Sequence, residues 1–115
     1  MIKLFAKIHL FFACHFDAYE LEVDAAQATA NVPELMKLKD AHRTKMKEIS
    51  EEIDGLKDQH EVVHRERVKE LKKEFGEREQ MVGQIEMTVG NYEGAARQKI
   101  QRAEALREKA KFIWK

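Results

Sequence analysis

Apolar side chains recur at alternating spacings of three and four residues along most of this chain. Met46, Ile49, Ile53, Leu56, His60 and Val63 form a first run. Such alternation keeps one stripe on the face a helix turns toward a coiled-coil neighbour. Between Val63 and Val68 the frame slips by one residue, and a second run follows through Leu71, Phe75, Arg78, Val82, Ile85, Val89, Tyr92, Ala96, Lys99, Ala103, Leu106, Ala110 and Ile113. Only Arg78 and Lys99 are charged in that second stripe. Around it lie mixed charges such as Lys69-Glu70, Lys72-Lys73-Glu74 and Glu77-Arg78-Glu79, the solvated flanks of a coiled-coil seam.

The pattern therefore predicts an all-α protein of long coiled-coil helices, either a helical hairpin or an extended rod. Asn31 as N-cap, Pro33 in the first turn and Glu34 three residues after the cap mark a helix start. After Pro33 no further proline occurs, and the sole serine is Ser50. An unbroken helix over the remaining 80 or so residues would be about 120 Å long at 1.5 Å per residue, so a break is expected. Gly76 near the midpoint is one candidate. Val89-Gly90-Asn91 is the stronger one, because Gly and Asn tolerate left-handed backbone, and it predicts helices over about 34–89 and 92–114.

Composition divides the chain into three stretches: an apolar, amphipathic docking segment over 1–16, an acidic, alanine-rich connector over 17–32, and the charged coiled-coil body over 33–115. The 115 residues carry 21 Lys+Arg against 21 Asp+Glu, with only five Gly and one Pro. This balance removes the broad positive field on which nucleic-acid binders rely, and the scarcity of turn residues argues against an all-β fold. A single cysteine, Cys14, forms no intrachain disulfide and builds no multi-cysteine metal site, which favours a reducing, intracellular location. Cys14 beside His15 is a poor nucleophile–base pair, since neighbours on a helix point about 100° apart; a buried structural thiol is the expectation.

Residues 60–64 read His-Glu-Val-Val-His. This five-residue motif resembles the signature of zinc metalloproteases, which implies His60 and His64 as metal ligands and Glu61 as general base. Its surroundings differ from that family: charged residues flank it on both sides, and no third ligand is placed by a downstream signature. His60 also falls on the seam, where a polar residue fixes register. A second alternative makes His60 and His64 a pH sensor in a helical inhibitor or regulator of an enzyme, since imidazole changes charge between about pH 5 and 8. No nucleotide-binding loop, calcium loop or cofactor fingerprint occurs, and no cofactor is expected.

Both ends are apolar. Phe5, Ile8, Phe11, Phe12 and Phe16 occupy overlapping helical faces of the head, and the tail ends in Phe112-Ile113-Trp114. Aromatic clusters of this kind anchor protein–protein interfaces, so these eight residues are the expected partner-binding set. The head is too short and too interrupted by Lys3, Lys7, His9 and His15 to span a bilayer, although the two lysines leave membrane-surface contact open. Basic and acid-free before Asp17, it is similar to a mitochondrial presequence but lacks arginine and serine. The sequence thus predicts a non-catalytic accessory subunit bracing other subunits of a larger complex. A mitochondrial respiratory or ATP-synthase assembly is one setting.

Overall fold

The computed structural model describes residues 2–56 and 62–114, Val63 by its backbone alone, and the chain is all-α. Helix α1 runs Ile2–Ala28, α2 runs Val32–Leu56 and α3 runs Val62–Ile113. Among the described residues there is no strand. The start of α2 at Val32 places Asn31 at the cap and Glu34 in the first turn. At the end of α1 the Ala25 carbonyl accepts the Thr29 N–H, and the Thr29 hydroxyl reaches the Ala26 carbonyl at 3.3 Å, one of the acceptors a helix terminus leaves over.

The helices pack as two units, Val32–Val89 and Met1–Asn31 with Gly90–Lys115. The first is a helical hairpin of α2 against the first half of α3. Its antiparallel sense follows from the pairs that cross it: Glu52 meets Arg67, His42 meets Arg78 and Arg43 meets Glu86. Ile49, Leu71, Val82, Ile85 and Val89 are buried along its seam, with Met46, Ile53, Leu56, Val68 and Phe75 half-buried beside them. These are large, branched or aromatic side chains whose removal from water drives the pairing.

The second unit sets α1 antiparallel to the last part of α3. Phe11 lies against Trp114, and Glu22 pairs with Arg107. Here the buried seam is almost entirely small: Cys14, Ala18 and Ala25 on α1, Ala96, Ala103 and Ala110 on α3. Alanines every seventh residue remove the side-chain bulk that holds helix axes apart, so this seam packs by close backbone approach. Ala18, Ala103 and Ala110 are 0 % exposed, which leaves no room for a larger side chain without displacement.

Three expectations are corrected. The break at Val89-Gly90-Asn91 does not occur; α3 continues through it, as it does through Gly76, with no glycine at positive φ. Buried Val89 and Ala96 keep the seam apolar on both sides of Gly90, and a helical glycine costs only about 1 kcal/mol. What does fall at residues 89 and 90 is the boundary between the two packing units. The connector over 17–32 is helical as far as Ala28, so the compositional boundary at 16/17 lies inside α1. Tyr92, placed on the seam by its spacing, is 39 % exposed, because a phenol keeps its hydroxyl in water more cheaply than it buries it.

Candidate interaction surface

The face of α1 turned away from α3 carries a second stripe. Ile2, Phe5, His9, Phe12, Phe16, Tyr19 and Val23 alternate at spacings of three and four, offset from the inner stripe of Phe11, Cys14, Ala18, Leu21 and Ala25. All seven are exposed: Phe5 and Phe12 at 65 %, Phe16 at 62 % and Tyr19 at 61 %. An aromatic stripe of this length in heptad register has the form of an unfilled coiled-coil seam.

Of the sequence-predicted partner-binding residues, the structure separates two groups. Phe5, Phe12, Phe16 and Phe112 are exposed, and Trp114 is 48 % exposed. Ile8, Phe11 and Ile113 are half-buried. Phe11 holds Trp114 edge-on at 5.6 Å between ring centroids and His15 at 4.6 Å, so the two apolar ends meet each other inside one unit. Edge-to-face rings at such distances attract through their quadrupoles. The sequence reading missed Tyr19 and Val23. Their signal was present as a repeat of threes and fours offset from the inner one, hidden by the acidic residues interleaved with it.

Charge is divided along α1. Lys3 and Lys7 lie in its first half, which holds no acid, whereas Asp17, Glu20, Glu22 and Asp24 lie in its second half, which holds no lysine or arginine. Asp17, Glu20 and Asp24 face Arg102 and Lys109 of α3 across an open groove floored by Leu21 and Leu106, and Glu22 pairs with Arg107 on the other side of the seam. The groove is lined by flexible, solvated charges and has no enclosed polar cluster that would orient a small molecule.

The chemistry-bearing candidates are not assembled into a site. His60 and Glu61 lie outside the described residues, as does the side chain of Val63; α3 begins at Val62, and His64 sits half-buried in its first turn. Among the described residues no group of three or more His, Cys, Asp or Glu side chains is placed to hold a metal. Cys14 is 3 % exposed on the α1 seam, a structural thiol shut off from substrates. Among the described residues no helix is long and apolar enough to cross a membrane.

No family model matches this chain, and no curated protein or solved structure matches it either.

Proposed function

We propose that this chain is a non-catalytic brace, an accessory subunit that links other subunits of a larger assembly through its apolar faces. The observation carrying this reading is the exposed aromatic stripe of α1, joined at the far end of the chain by Phe112 and Trp114. Aromatic anchors at that density supply binding energy when a partner covers them and cost free energy when water does. The coiled-coil units supply the stiff support, since their seams consume the inner apolar stripes and leave the outer one unspent. A mitochondrial setting rests on the basic, acid-free first half of α1 alone.

Affinity isolation of the tagged chain from its native source at low detergent, with mass spectrometry and metal analysis of the same eluate, tests the reading. A reproducible set of partner subunits at fixed stoichiometry, with zinc at background, is the expected result. A chain recovered alone with one zinc per molecule would overturn it and make His60, Glu61 and His64 an active site.

A further inference from the structure

We propose that the outer stripe of α1 pairs antiparallel with the same stripe of a second copy of this chain. The proposal deepens the brace reading by assigning one of its apolar surfaces to self-association, leaving Phe112 and Trp114 for other subunits. It is tested on the purified chain, so its outcome does not depend on whether other subunits are captured.

Self-complementarity carries the assignment. In an antiparallel coiled coil each position of one helix faces a fixed position of the other, related by a two-fold axis. An axis midway between Phe12 and Phe16 sets Phe12 against Phe16 of the second copy. The next layers bring His9 against Tyr19, then Phe5 against Val23. The one imidazole of the stripe thus meets the one hydroxyl able to bond it, and Phe5 meets the smaller Val23. The side-chain period of the helix requires no adjustment to achieve this.

Charge weighs against the parallel sense. Lys3 and Lys7 lie on the side of α1 turned toward α3 and do not select a sense. Parallel pairing would set His9 on His9 and the two copies of Glu20, which flanks the stripe, at the same level, which costs free energy. The acidic half of α1 carries Phe16 and Tyr19, so an anionic membrane would repel the segment that its aromatic rings have to enter.

The area is sufficient. An aromatic side chain buries about 150–250 Å² when fully enclosed, and Phe5, Phe12, Phe16 and Tyr19 are each 61–65 % exposed. Eight such rings in a pair offer roughly 800 Å² or more, and with Ile2 and Val23 of both copies the total reaches the ~1,200 Å² at which stable interfaces begin.

Sedimentation equilibrium of the full chain at about 10–100 µM, a range in which an interface of this size associates, is the test. The expected mass is twice the 13.5 kDa of the chain. Phe12→Glu with Phe16→Glu should halve that mass while helical circular dichroism is kept, because both side chains face away from the α1–α3 seam. In a Cys14→Ala chain, Lys3→Cys should resist a short bismaleimide linker, since antiparallel pairing holds the two copies of position 3 about 33 Å apart at 1.5 Å per residue. A wild-type monomer at the highest concentration, or a dimer indifferent to the double Phe substitution, would overturn the proposal. So would rapid self-linking at position 3, or a monomer that floats with anionic vesicles.

Discussion

Arg78 donates a hydrogen bond across the α2–α3 hairpin to Nδ1 of His42 at 3.1 Å, while its Nε donates to Glu74 at 3.3 Å. A guanidinium has no acceptor, so the bond requires His42 with Nδ1 unprotonated and its proton on Nε2. Both residues stand at seam positions, His42 four residues before Met46 and Arg78 between Phe75 and Val82. The interruption that Arg78 makes in the apolar frame is therefore answered by a polar side chain on the facing helix. Paired polar layers of this kind fix register and partner orientation at some cost in stability.

Removing one member should cost more than removing both. Arg78→Ala leaves the half-buried imidazole without its donor and is expected to lower unfolding free energy by about 1–2 kcal/mol. Arg78→Leu with His42→Leu restores an apolar layer and should regain at least that amount, with a less uniform assembly state. Urea titration alongside size-exclusion chromatography reads both. A double variant no more stable than Arg78→Ala would show that the pair does not act as a layer.

The two seams should respond oppositely to side-chain size. Leu71 is 2 % exposed among large neighbours, and Leu71→Ala is expected to cost about 2–5 kcal/mol by opening a cavity. Ala103 is 0 % exposed, and Ala103→Leu should cost roughly 1–3 kcal/mol by forcing α1 and α3 apart. Thermal melts followed by circular dichroism measure each, and a stabilised Ala103→Leu chain would contradict close packing there.

Continuity of α3 predicts that glycine is a liability at its midpoint. A Cβ added at Gly90 or Gly83 meets nothing within 4 Å, and neither residue has positive φ. Gly90→Ala should therefore raise stability by about 0.5–1 kcal/mol. A turn at Val89-Gly90-Asn91 would instead make the same substitution destabilising, so the sign of the shift in melting temperature discriminates.

The seam of α3 was legible in the sequence because its burial and its period coincide: every buried residue in that helix, from Leu71 to Ala110, stands on the predicted frame. The helix order was not. The frame of α2 ends with Leu56, before the slip that the spacing puts between Val63 and Val68, inside α3; periodicity alone does not tell a slip in one helix from the start of another. The glycine-asparagine signal outweighed it, and local turn propensity is a weaker force than an apolar stripe continuing on both sides. The outer stripe of α1 was partly legible. Phe5, Phe12 and Phe16 stood out by residue type, whereas Tyr19 and Val23 sit among acids that drew a compositional boundary through the middle of the helix.

The hairpin supplies the stiff support that the brace reading needs, and cross-linking within one chain tests that pairing most directly. In a Cys14→Ala background, Arg43→Cys with Glu86→Cys replaces a pair whose charged ends lie 2.7 Å apart. A short bismaleimide should join them within a single 13.5 kDa chain. Failure of that link, together with ready linking of Gly76→Cys to Glu104→Cys, the positions a hairpin folded at residue 90 would bring together, would contradict the account.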